Sequence, residues 1–118
     1  MMPTSLRPLR WVGSAKKDLA EMPEEAQDTF GYALHLAQAG DKHSQAKPLK
    51  GFGGAGVLEV VQDHQGDTYR AVYTVRYATA VYVLHCFQKK STSGIATPKP
   101  DMDLILTRLK AVATLEKE

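Results

Sequence analysis

Three strand-like runs follow one another closely in the second half of the chain: Val57 to Gln62, Thr68 to Val75, and Thr79 to Phe87. They are rich in Val and Tyr, residues that suit a pleated, half-buried surface. Gln65-Gly66-Asp67 is a good hairpin connection between the first two. Arg76 to Ala78 joins the second and third, tightly but with weaker turn chemistry. Connections this short leave no room for a crossover, so consecutive strands run antiparallel. A three-stranded meander is the frame that the rest of the chain must cover.

The flanking segments read as helices. Ser14 is placed to cap a short helix, AKKDLAEM. Pro23 opens a second one, with Glu24 and Glu25 complementing its dipole. Ala26, Phe30, Ala33, Leu34 and Ala37 recur at offsets of three and four and form one apolar stripe. Gly40 is the expected stop. Pro8 to Val12 is compatible with a short first strand. The Gly-rich run from Gly51 to Gly56 lacks the Lys-Ser/Thr ending of a phosphate loop and a preceding strand, so it reads as a turn before a strand. Pro98 and Pro100 are expected to break the chain before a last helix that opens at Asp101 or Asp103. Met102, Ile105, Leu106, Leu109, Val112 and Ala113 supply its apolar face. The order β-α-α-β-β-β-α describes a small α+β domain, with helices packed on one face of a mainly antiparallel sheet.

At 118 residues the chain suits a single domain, 1–118, and 43% hydrophobic with 24% charged residues excludes a disordered chain. The longest nearly apolar stretch, Ala78 to Cys86, is about half of a membrane span, and MMPTSLRPLRW lacks the apolar segment of a secretory signal. One cysteine allows no internal disulfide. A cytoplasmic protein with no metal or other cofactor and no membrane contact is expected. Net charge is only +2, but residues 42 to 100 carry eight basic side chains against three acidic ones. From Thr68 to Pro100 there are five basic residues and no acid. Such a stretch is either an electrostatic footprint for phosphate or a solvated basic surface.

Strand alternation decides which side chains can act together. Arg70, Val72, Thr74 and Arg76 share one face of their strand, opposite Tyr69, Ala71, Tyr73 and Val75. On the next strand Val81, Val83, His85 and Phe87 are expected on one face, and Tyr82, Leu84 and Cys86 on the other. If the substrate is RNA, its 2′-hydroxyl can attack the adjacent phosphate without a metal, given proton transfer and cations. His85 suits the proton transfer. Arg70 suits a bidentate phosphate clamp, and Lys89 and Lys90 suit added point charge. Phe87 or Tyr73 suits stacking on an unpaired base. Each residue has a plainer role beside this one: His85 as a hydrogen-bonded structural histidine, Arg70 paired with Glu59 across the hairpin, Phe87 and Tyr73 in the core, and the lysines on the surface. Cys86 reads as a small hydrophobe, and His35, His43 and His64 as surface residues.

The runs KPLKGFGGAGVLEVV, YRAVYTV and VYVLHCFQKKSTSGIATPKPDMDLILTRLKA together resemble the phage-related branch of the RelE/HigB-type toxins of bacterial toxin–antitoxin systems. The elements that carry the likeness are Leu49-Lys50-Gly51, the Glu59 strand, Tyr69-Arg70 with Tyr73, His85 to Lys90, and a last helix with Arg108. The stretch between the lysine pair and the proline is longer here than in that pattern. The resemblance implies a ribosome-dependent endoribonuclease that cleaves mRNA and is neutralised by a cognate antitoxin, often a helix-turn-helix repressor. It implies Arg70, His85, Lys89 and Lys90 as catalytic, with Lys50 as a further phosphate contact and Tyr73 or Phe87 as a base platform. Two alternatives share the fold: a ParE-like gyrase inhibitor without nuclease chemistry, and an inactive module that binds the antitoxin and helps repress the operon. Arg70→Ala or His85→Ala is expected to relieve toxicity and leave the fold intact.

Overall fold

In the chain order, strand β1 (Leu9–Trp11) is followed by helices α1 (Ala15–Ala20) and α2 (Glu24–Gln38), then strands β2 (Lys47–Pro48), β3 (Val57–His64), β4 (Asp67–Thr74) and β5 (Val81–Lys89), and helix α3 (Lys99–Lys117). The computed structural model describes residues 6–52, 56–89 and 97–117. The strands form one sheet in the order β1-β5-β4-β3-β2. β3, β4 and β5 are the expected antiparallel meander, β2 adds a short antiparallel edge, and β1 pairs parallel to β5. The hairpin between β3 and β4 turns on Gln65 and Gly66, both at positive φ (50° and 87°). That pair of angles matches the right-handed twist of the strands, and glycine adopts it without steric cost.

The α+β class and the meander follow the sequence; the placement of the helices is more divided than one covered face. α1 and α2 cover one side of the sheet, burying Leu19, Ala26, Phe30, Ala33, Leu34 and Ala37 against Leu58, Val60, Ala71, Tyr73, Val81, Val83 and Cys86. α3 covers the other, with Ile105, Leu109 and Val112 against Val57, Val72, Tyr82, Leu84 and Phe87. The cause lies in β5. It is apolar on both alternating sets, and a strand of that kind must be buried on both faces. Phe30 is fully buried at the centre of the first layer, a burial that contributes on the order of 2–3 kcal/mol.

Two helix starts differ from expectation. Ser14 makes no side-chain cap; its hydroxyl donates to the Asp18 carboxylate at 2.7 Å. α3 begins at Lys99, before Asp101, so Pro100 lies inside its first turn. There a missing N–H is no loss, because first-turn amides have no helical acceptor.

The register between β4 and β5 contains a bulge. Val72 pairs with His85 and Tyr73 with Val83, so Leu84 is an extra residue on β5. The alternation expected from the sequence holds through Val83 and then slips by one. Cys86 therefore joins Val81 and Val83 beneath α1 and α2, while Phe87 joins Tyr82 and Leu84 beneath α3. His85, paired opposite Val72, goes with Phe87 to the α3 side.

Candidate functional site

The site is what the bulge collects. Arg70, His85, Phe87 and Lys89 come from adjacent positions of β4 and β5, with Arg70 opposite Phe87 and Thr68 opposite Lys89. Without the extra residue, His85 would point into the core beneath α1 and α2, away from Arg70. Glu59 enters from β3, two pairs along from Arg70 in the register and so on the same face of the sheet. Asp101 enters from the first turn of α3 and Thr97 from just before it.

Two ion pairs organise these groups. An Arg70 Nη1 proton is donated to Glu59 Oε2 at 2.7 Å, and the side chains are only 8% and 15% exposed. Thr97 Oγ1 lies 3.3 Å from both Arg70 Nη1 and Glu59 Oε2, which closes a triangle. His85 Nε2 sits 2.8 Å from Asp101 Oδ1. A carboxylate only accepts, so Nε2 carries a proton toward it, and in the neutral imidazole Nδ1 is then the acceptor nitrogen. That Nδ1 is buried and makes no hydrogen bond among the described residues. Leaving such an atom unsatisfied costs about 1–3 kcal/mol, which gives it significance beyond packing. The Phe87 ring stacks on the His85 imidazole, with centroids 4.4 Å apart and planes 14° from parallel.

Lys89 is buried at the end of β5. Desolvation holds its ammonium below the usual lysine value; the Arg70 guanidinium adds to the shift and the Glu59 carboxylate opposes it. The three groups thus sense one another. A cationic centre of this kind, partly desolvated and built on strands, can bind an anion with little reorganisation.

The remaining sequence candidates are distributed as follows. Lys50 is exposed, in a turn whose neighbours Leu49 and Phe52 pack against the α3-side core and whose Gly51 abuts Met102. Lys90 lies outside the described residues. Tyr73 is not brought to the site. It faces the α1–α2 core, is 1% exposed, and burial pushes its hydroxyl up to about 12. A ring so enclosed offers no surface to a base. Phe87 is on the site's face, but one side of its ring is already taken by His85. Cys86 is a buried free thiol, pushed up to about 12 by desolvation, and behaves as the small hydrophobe expected. Among the described residues no cluster of His, Cys, Asp or Glu is suited to hold a metal ion, and no helix is long and apolar enough to cross a membrane.

Asp101 and Thr97 are the site residues that sequence reasoning missed. Asp101 reads as an ordinary helix-opening acid, and only the fold brings it to a histidine 16 positions earlier. The Glu59–Arg70 pair was legible, because both lie on the same hairpin at nearly matching distance from its turn.

No curated protein matches the chain. The family described as Phage derived protein Gp49-like (DUF891) matches residues 17–110, a span that takes in most of α1, all of α2 and of the meander, and most of α3. The chain therefore belongs to the Gp49-like family of phage-derived proteins.

Proposed function

We propose that this protein is the toxin of a toxin–antitoxin pair, a metal-independent endoribonuclease that cleaves mRNA on the ribosome and is held in check by a helix-turn-helix antitoxin. The observation that carries the proposal is the convergence of Arg70, His85 and Lys89 on one sheet face through the Leu84 bulge. Membership of a phage-derived family and the likeness to RelE/HigB-type toxins support the same conclusion. In this proposal the protein acts as one domain in the bacterial cytoplasm.

The chemistry uses the RNA as its own nucleophile. The 2′-oxygen bonds to the adjacent phosphorus as the bond to the 5′-oxygen breaks, leaving a cyclic phosphate and a free 5′-hydroxyl. The 2′-proton passes to His85 Nδ1, the nitrogen that the Asp101 contact leaves free, so substrate binding has to uncover this atom, which is buried in the free protein. Arg70 and Lys89 stabilise the charge that builds on the phosphoryl oxygens, and Lys50 and Lys90 add contacts along the strand. The departing 5′-oxygen receives a proton from a lysine or solvent. The phosphate competes with Glu59 for Arg70, so substrate binding exchanges an internal ion pair for an external one. Phe87 steadies the imidazole by stacking on it.

One observation favours a second reading. Arg70 and His85 both have internal carboxylate partners, which suits a module that binds its antitoxin, or a gyrase inhibitor, without nuclease chemistry. Purified protein added to ribosomes programmed with a short mRNA separates the two. The nuclease produces new 5′ ends within codons at the ribosomal A site, and His85→Gln lowers the rate by on the order of 100-fold or more. If the wild-type protein produces no new ends and instead blocks DNA supercoiling by gyrase, the nuclease reading is wrong.

A further inference from the structure

The bulge that carries His85 to the site needs support of its own. β1 covers β5 only from Val81 to Val83, and the last bond of that ladder is Val12 N–H to the Val83 carbonyl. The next residue along is Leu84, the bulged one, where β1 has no partner to offer. Arg108, from the middle of α3, donates from Nη1 to the Leu84 carbonyl at 2.8 Å. Its Nη2 reaches the Ser14 hydroxyl at 3.3 Å, and that hydroxyl in turn donates to Asp18. The guanidinium thus links α3, the β1–α1 junction and the bulge.

The space for this contact is made by glycine. Gly13 has φ +57°, and a Cβ there would lie 2.7 Å from Arg108 Nη2 and 2.8 Å from its guanidinium carbon. A planar, charged group packed on bare backbone, with its fork aimed at one bulge carbonyl, has little freedom to wander. Bulges re-aim side chains by changing local twist, so whatever holds the Leu84 carbonyl also sets where His85 sits.

We infer that Arg108 is a positioning residue: seated on Gly13, it fixes the Leu84 bulge and through it the place of His85 against Asp101 and Arg70. It does not touch the reacting atoms. The kinetic part of this inference rests on the proposed nuclease function; the structural part does not.

The test compares the full chain with Arg108→Met, Arg108→Lys and Gly13→Ala. Two readouts are used: the imidazole ¹⁵N and Nε2–H signals of His85 by NMR, and kcat and KM for cleavage on programmed ribosomes. In a folded Arg108→Met variant the His85 Nε2–H signal shifts or exchanges away, and kcat falls by up to about 100-fold. KM stays within about twofold, and Arg108→Lys restores part of the loss. If Arg108→Met does not fold, Gly13→Ala, which keeps the arginine but displaces it, is judged by the same readouts. An unchanged His85 spectrum in a folded variant overturns the inference. So does a rise in KM at constant kcat, which would mean that Arg108 binds RNA directly. If wild-type protein does not cleave at all, the proposed function fails, and the His85 spectrum alone decides the role of Arg108.

Discussion

Arg70 and Glu59 show how a buried charge is kept in so small a sheet. Each is largely removed from water, each faces the other at 2.7 Å, and the Thr97 hydroxyl lies 3.3 Å from both. Removing one partner strips the other of its close ion pair in a largely buried place, at a cost of up to about 3–5 kcal/mol, whereas replacing both with apolar groups is often nearly neutral. Arg70→Ala is therefore a poor probe of function, because it threatens the fold that it was expected to spare. Glu59→Ala is predicted to lower the urea midpoint by the equivalent of up to about 3–5 kcal/mol, with Arg70→Met/Glu59→Leu recovering most of it. Equal destabilisation by the single and double variants would show that the pair is not coupled. For chemistry the better probe is Arg70→Lys, which keeps the charge and loses the fork.

Among the elements, the strands were the most legible. Val57 to Gln62, Thr68 to Val75 and Thr79 to Phe87 announce themselves by composition, and Gly66 marks the turn between two of them. The two-residue β2 has no pattern to announce, and nothing in VYVLHCF distinguishes a bulge at Leu84 from unbroken alternation. That one residue decides whether His85 faces the core or Arg70, so the site was legible in its residue types but not in its geometry. The last helix was legible in its apolar stripe; its attachment was not. Glu116, near its end, accepts from the Tyr82 hydroxyl at 2.6 Å and from Thr79 Oγ1 at 2.7 Å. The Tyr82 bond and then the Thr79 bond hold its carboxyl below the ordinary 4.5, against a smaller opposing effect of burial, with Arg10 adding least. A carboxyl depressed in the folded state adds stability above its unfolded value and loses it as pH falls through the folded one. The final turn of α3 is thus predicted to exchange its amides faster, relative to the rest of the helix, as pH drops below about 4.5. Glu116→Gln should remove this dependence; if the variant keeps it, another group is responsible.

For the molecule as a whole, the bulge couples the two layers, since it places Cys86 in one core and its neighbours His85 and Phe87 in the other. Cys86 is 1% exposed and its thiol is pushed up to about 12 by burial. A thiol reagent near neutral pH can therefore reach it only when the sheet opens. Its labelling rate in increasing urea is predicted to track unfolding, and rapid labelling of native protein would contradict a two-sided core. Tyr73, also raised to about 12, sits in the same layer as Cys86. Both acids stay neutral in the folded state where the unfolded chain ionises. Their contribution is complete below the unfolded values of about 9 and 10 and declines as pH rises toward 12. Alkaline unfolding at 25 °C followed by far-ultraviolet circular dichroism should therefore begin above pH 9, and Tyr73→Phe should move it upward.

The most direct measurement for the central claim is inducible expression in a bacterial host, with primer extension on a few abundant transcripts, for wild type, His85→Gln and Arg70→Lys. The predicted result is growth arrest with new 5′ ends confined to translated regions, lost in His85→Gln and reduced in Arg70→Lys while both variants remain folded. Arrest without new ends, or full cleavage by a folded His85→Gln variant, would contradict the assignment of the Arg70–His85–Lys89 face as a nuclease site.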